Sequence, residues 1–272
     1  MTGTPLVADR DFGYKLLDMK WPAFAVLASM LSLAVPASPA ETNLNAGAIL
    51  ARLQANRARK DFSLKARLFV TREQIVPVEL LVKNTPDEAR TVYRAGKTQL
   101  LVVQPDHGAP RYYLKGTGEL TGPARAGKFL ASHFSYYDLG LPFLHWPEVK
   151  VQGEDRVLGR DCYVLETRAS GEPYTRAKLW IDKEYSALLR AEAFDENDLL
   201  VRRFAITSFK KLGDIWIPRG IEIGFVPKAQ ALPSVEKSRL EVNDGSYDVQ
   251  LPAEWFSSES FGAGEAAKDK RP

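Results

Sequence analysis

From residue 61 onward, apolar side chains recur at every second position. That period restricts the chain more than any other feature. Phe62, Leu64, Ala66 and Leu68 alternate with Ser63, Lys65 and Arg67. Successive side chains of a strand point to opposite faces, so such a stretch forms a half-buried strand and lays no continuous stripe along a helix. Further runs are read at 75–82, 88–94, 99–104 and 111–115, and again at 148–157, 161–168, 175–182, 186–194, 199–209, 215–225 and 235–243. Pro77 marks the second run as an edge or bulged strand, because proline donates nothing to a ladder. Turn residues separate the runs, among them Asn84-Thr85-Pro86-Asp87, Gly159-Arg160, Asp182-Lys183 and Asp195-Glu196-Asn197-Asp198. Spacing of about 8–14 residues between strands predicts an antiparallel meander. The reading is a mainly β fold of about 11 strands in one domain. A sheet of that size must curl or split into two layers. If it curls, its inner face is an apolar trough.

Two stretches break the period. Residues 46–60 carry Ile49, Leu50 and Leu53 at helical spacing, with arginine and glutamine on the opposite side. Asn45 can cap the start, so an amphipathic helix is expected. Residues 116–147 open with Gly116, Gly118, Gly122, Pro123 and Gly127, then turn aromatic: Phe134, Tyr136, Tyr137, Phe143 and Trp146 fall within thirteen residues. This stretch reads as a loop with helical turns packed over the sheet, the 129–144 part forming a helical lid. A lid burying its own core face and a greasy cover over a ligand trough are both consistent with it.

The N-terminus reads as an address. Residues 21–35, WPAFAVLASMLSLAV, carry no charge. A membrane-spanning helix needs about 20 residues, so fifteen fit a signal peptide better. Small residues follow, and cleavage after Ala37 or Ala40 is expected. Asp9, Asp11 and Asp18 are unusual upstream of such a segment, and Met19-Lys20 is the more natural start. The expected division is a signal peptide over 1–40, one β domain over 41–258 and a disordered tail over 259–272. Export to the periplasm follows, with no cysteine after the apolar stretch for lipid attachment.

Composition removes several chemistries. Lys plus Arg is 37 against 34 Asp plus Glu, a net charge of +3 that gives no case for nucleic-acid binding. One cysteine, Cys162, excludes an internal disulfide and a cysteine-based zinc site. It lies in a strand beside Tyr163 and Val164 and reads as a packing thiol. His107, His133 and His145 show no metal-ligand spacing. Gly116-Thr117-Gly118 reads as a turn. Glu166, Asp182 and Asp195 form no legible catalytic pair. The expectation is a protein with no catalytic residues, no metal and no cofactor.

Several segments carry a family resemblance. Gly159–Leu165 (GRDCYVL) and Lys178–Glu184 (KLWIDKE) resemble the core of the LolA-like outer-membrane lipoprotein-sorting family. Phe134-Ser135-Tyr136-Tyr137-Asp138-Leu139 resembles its F-S-Y-x-D-L segment. Phe194–Leu200 resembles a strand-turn-strand of the family, and Gly213–Pro218 the tryptophan- and proline-bearing stretch that follows. Together they cover about residues 46–243. The resemblance implies an incomplete antiparallel β-barrel wrapping a helix, with a hydrophobic cavity for acyl chains. It implies an inner-membrane transporter and an outer-membrane acceptor as partners. It also implies a strand arginine that holds the lid through backbone carbonyls, for which Arg67, Arg72 and Arg94 are available.

The leading expectation is a monomeric periplasmic carrier of lipoprotein or lipid acyl chains. A lipid- or lipoprotein-sensing regulatory module stands second and a hydrolase third. Alternation assigns the trough to Leu64, Leu68, Leu80, Val92, Leu101, Leu179, Ile181, Leu189, Phe204 and Ile206, and the lid to Phe134, Tyr137 and Leu141. A one-residue register error moves any of these to the other face.

Overall fold

The computed structural model describes residues 45–213, 215–225 and 236–262. The expected signal peptide, its cleavage site and the Met19 start lie outside the described residues. One helix, α1 (Ala46–Ala55), precedes thirteen strands. These are β1 (Phe62–Phe69), β2 (Ile75–Asn84), β3 (Glu88–Ala95), β4 (Thr98–Pro105), β5 (Arg111–Leu114), β6 (Gly118–Glu119), β7 (Glu148–Val157), β8 (Arg160–Arg168), β9 (Arg176–Asp182), β10 (Leu188–Phe194), β11 (Leu200–Leu212), β12 (Ile215–Phe225) and β13 (Glu236–Tyr247).

The strands form one antiparallel sheet in the order β6-β5-β4-β3-β2-β1-β13-β12-β11-β10-β9-β8-β7. Every neighbour is a hairpin partner except at β1–β13, where the first and last strands pair from Phe62↔Tyr247 to Phe69↔Arg239. That pairing makes two meanders into one sheet, and β6 and β7 remain as open edges. The strand count exceeds the expected eleven. Residues 118–119 contribute a two-residue strand inside the glycine-rich loop, too short to show a period.

The helix is shorter than its polar continuation suggests. Asn45 caps it, its side chain accepting from the Gly47 N–H at 3.0 Å. The apolar stripe ends at Leu53, and Asn56 closes the last turn. Arg57 then turns into the structure. Its guanidinium donates to the carbonyls of Thr85 (2.7 Å) and Pro86 (2.8 Å) and pairs with Asp106 at 2.6 Å. The helix end is thereby tied to two hairpin turns on the sheet rim.

Both faces of the sheet are covered, by different parts of the chain. α1 and residues 120–147 pack on one face, called inner here, in a single core cluster that draws on every strand from β1 to β13 except β6 and β7. On the outer face of β2–β5, Leu251, Phe256 and Phe261 cover Leu81, Val92, Leu101, Val103 and Tyr113. Of the tail expected over 259–272, the described part is folded: Glu259–Phe261 is a 3-10 turn with Phe261 buried, and residues 263–272 lie outside the described residues. A third cluster joins Cys162, Trp180, Tyr185, Ala187 and Leu189 on the outer side of β8–β10.

Candidate functional site

The inner face carries the candidate site, and its floor is aliphatic. Leu64, Leu68, Leu80, Leu179, Ile181, Phe204 and Ile206 all point into the inner cluster, each less than a tenth exposed. The ladder explains how separate strands supply one surface. Leu64 faces Leu80, which faces Tyr93, which faces Leu100. Directly opposed residues share a face, so one apolar position per strand extends into a row across the sheet.

Three positions assigned to the floor lie elsewhere. Val92 and Leu101 pair with each other and point outward, under Phe256 and Phe261. The inner residues of these strands are Tyr93, Leu100 and Val102. β4 is buried on both faces and loses the alternation that would distinguish its two sides, whereas on β3 the outer face of Val92 is marked by Arg90 and Arg94. Leu189 also points outward. The β9–β10 register slips between Leu188 and Arg190, and this bulge leaves Leu188 on the inner face.

Residues 120–147 cross the floor without forming the expected helix. They make short 3-10 turns at Gly122–Ala126, Phe129–Ala131, Asp138–Gly140 and Pro142–His145. Leu130, Ala131 and Leu141 have positive φ, at 53°, 59° and 45°. Left-handed backbone disfavours residues with a Cβ and persists only where the surroundings hold it. A regular helix would swing the aromatic side chains around its axis. The irregular path aims Phe129, Phe134, Tyr137, Leu139, Leu141, Phe143 and Leu144 into the inner cluster. Phe134, Tyr137 and Leu141, the residues assigned to the lid, are therefore brought together with the floor.

Polar contacts fix this segment to the strands. The Tyr112 hydroxyl on β5 donates to the Tyr137 carbonyl at 3.1 Å, and Gln104 Nε2 on β4 donates to the Gly140 carbonyl at 3.0 Å. Gln54 Nε2 on α1 donates to the Leu144 carbonyl at 2.7 Å. At the other side lies an ionic contact. Asp138 Oδ2 accepts from the Ser135 N–H (2.7 Å) and hydroxyl (2.6 Å), and Oδ1 accepts from the Tyr174 hydroxyl at 2.9 Å. Arg202 on β11 donates through Nε to the Tyr174 oxygen at 2.9 Å and stands 3.6 Å from Asp138 Oδ2. Burial works against the Arg202 guanidinium, but Asp138 and Tyr174 outweigh it and hold its pKa above the ordinary arginine value. Burial raises the Tyr174 phenol as well.

A cavity of about 10 Å³ remains beside this contact, lined by Asp138, Leu141, Phe143, Tyr174, Ala191, Ala193, Arg202, Phe204 and Ile223. That is about the space of one water. The crossing segment packs directly against the inner face here.

The arginines considered for a lid contact lie elsewhere. Arg67 stands over the Phe69 ring and 3.9 Å from Glu241, Arg94 lies over Trp255 and 3.5 Å from Glu79, and Arg72 is exposed in the β1–β2 turn. Arg202 instead approaches the segment. Asp138 was visible within the F-S-Y-x-D-L stretch, but Arg202 and Tyr174 meet it only through the return of β11 and the β8–β9 connection. No local signal marks them.

The other chemical candidates have structural surroundings. Cys162 is buried, and burial pushes its thiol up to about 11, far from a reactive thiolate. Asp182 accepts from the Tyr185 N–H at 2.7 Å and the Glu184 N–H at 2.9 Å and pairs with Arg160, which shapes the β9–β10 turn. His133 Nδ1 lies 3.1 Å from the Ser238 hydroxyl, which donates to the Val70 carbonyl at 3.0 Å. Ser238 is 1% exposed, out of reach of a substrate. Among the described residues no group of three His, Cys, Asp or Glu could hold a metal ion. No helix among them is long and apolar enough to cross a membrane.

The whole arrangement has relatives. A family model whose description reads "Uncharacterized protein" matches residues 112–262. The structure is similar to a DUF1329 family protein from Desulfovibrio piger, at 20% identity and a TM-score of 0.65, over 78% of this chain and 96% of that one. It is also similar to a domain from Vibrio parahaemolyticus described as an outer membrane lipoprotein-sorting protein, at 17% identity and a TM-score of 0.63, over 74% and 91%. No curated protein matches the chain. At these identities the likeness concerns the fold, and there the expected resemblance to lipoprotein-sorting proteins is met.

Proposed function

Because the chain belongs to the family matched over residues 112–262 and shares a lipoprotein-sorting fold, we infer that it is a periplasmic carrier of acyl chains. Its cargo is the lipid portion of lipoproteins or of free lipids, bound for the outer membrane. One observation supports the reading above others: an aliphatic floor covered by a segment held through a few polar contacts and a strained backbone. An acyl chain exposes apolar surface worth about 0.8 kcal/mol per CH₂, so a carrier must offer a dry surface and still release its load. Opening residues 120–147 uncovers Leu64, Leu68, Leu80, Leu179, Ile181, Phe204 and Ile206 to take that load. Residues 1–40 would direct export and be removed, leaving one β domain from residue 41.

Delipidated protein titrated with a fluorescent fatty acid tests this. Saturable uptake supports the carrier, and no uptake under any condition removes it. Pull-down from envelope extract then separates a carrier, which captures mixed lipoproteins, from a sensor, which captures one stoichiometric partner.

A further inference from the structure

The Asp138 contact has the makings of a ligand site that the chain itself occupies. Two of its donors belong to the crossing segment, since the Ser135 N–H and hydroxyl move with Asp138. The other two belong to the fixed scaffold. Arg202 is on β11, and Tyr174 lies in the β8–β9 connection, with its hydroxyl shared between the carboxylate and the guanidinium. When the segment lifts, these two groups lose their anion. What they then border is apolar: Phe204, Ile223, Ala191 and Ala193 line the space beside them. Withdrawal of Asp138 takes a carboxylate away from a guanidinium and a phenol that border this apolar surface. An incoming ligand is favoured if it brings its own anion to that spot and lays a hydrocarbon chain along the floor.

We propose that Arg202 and Tyr174 form a head-group site for anionic amphiphiles, which Asp138 fills as an internal substitute while the trough is closed. The ligand class is a single-chain lipid ending in a carboxylate or a phosphate monoester. The inference rests on the carrier reading and narrows it, since acyl chains alone carry no charge preference.

The test is calorimetric titration of the delipidated protein with dodecanoate, dodecyl phosphate and dodecanol, each below its micelle concentration. The three share a chain and differ in the head. The wild-type protein should prefer the two anions over the alcohol by about tenfold or more, the effect of one charged hydrogen-bonded contact. The tighter of the two anions identifies the head group as carboxylate or phosphate. D138N should bind all three more tightly, because the closed state loses its ion pair while the size of the side chain is kept. In D138N/R202Q the preference should collapse towards one, and in D138N/R202K most of it should remain. Should the glutamine variant fail to fold, the wild-type ratio and the lysine variant decide the matter.

Equal binding of dodecanol and dodecanoate to the wild type, or a preference that survives the loss of Arg202, overturns the head-group site and leaves the carrier reading standing. Binding of none of the three, to the wild type or to D138N, overturns both.

Discussion

Gly140 shows how closely single residues set the fit of the crossing segment. A Cβ there would overlap the Tyr112 hydroxyl oxygen and come within 2.8 Å of ring carbon Cε1. Gly140→Ala should therefore cost about 1–3 kcal/mol in urea unfolding, the usual penalty of overpacking. Tyr112→Phe removes the clashing oxygen together with its bond to the Tyr137 carbonyl, so it should cost less in the alanine background than in the wild type. A second residue makes the same region sensitive to pH. Burial lowers the His145 pKa from 6.5 to about 4, although the Asp106 carboxylate pulls it upward. Its Nε2 atom is buried without a hydrogen-bond partner. The folded protein then binds fewer protons at this site than the unfolded chain does between these values. The stabilising effect of the neutral ring is complete above about pH 6.5 and is lost as pH falls towards 4. His145→Gln should flatten that part of the urea-midpoint profile by an amount on the order of 3 kcal/mol. An unchanged profile would show that the ring titrates freely.

Among the elements, the C-terminal segment has a role that its composition hides. Leu251, Phe256 and Phe261 seal the outer face of β2–β5, and strand side chains hold their backbone. Arg90 donates to the Phe256 carbonyl at 2.7 Å and Lys83 to the Leu251 carbonyl at 3.1 Å. The face they cover includes Val92 and Leu101, which are apolar because this segment lies over them. Phe256→Ala should lower stability by about 3–5 kcal/mol, read as a drop in the thermal midpoint. It should leave the inner floor in place, and with it whatever binding of the fluorescent fatty acid the wild type shows. The crossing segment is the opposite case. Its aromatic content announces burial, but its path is set by Gly140, Pro142 and the carbonyl contacts from Tyr112 and Gln104. Leu130, Phe134, Tyr137, Leu141 and Leu144 do fall at helical spacing, but the helix expected there is interrupted by left-handed backbone at Leu130, Ala131 and Leu141 and by Pro142.

At the scale of the molecule, an open sheet must protect two edges. The β6 edge is only two residues long, with the Glu259–Phe261 turn beside it. The β7 edge is ten residues long and carries Glu148, Lys150, Glu154, Asp155 and Arg156, with a bulge between Val151 and Gly153. Charge and irregularity both oppose pairing with a second chain, so light scattering should show a monomer. Replacing Glu148, Lys150 and Asp155 by threonine or valine should produce concentration-dependent association. Most of this architecture was legible beforehand. Period-two alternation identified the strands wherever one face was polar, as in β1, and the Asn45 cap located α1. It failed on β4, where Leu100, Leu101, Val102 and Val103 are all buried and read alike, whereas on β3 Arg90 and Arg94 share the face of Val92 and mark it as outer. By itself the sequence determined an antiparallel β fold with an amphipathic helix and an aromatic crossing segment, because periodicity, caps and turn residues act locally. Only the tertiary structure decided which face each leucine joins, that residues 251–261 close the outer side, and that Asp138 meets Tyr174 and Arg202. Those outcomes depend on pairing between strands far apart in the chain, and no local pattern encodes such pairing.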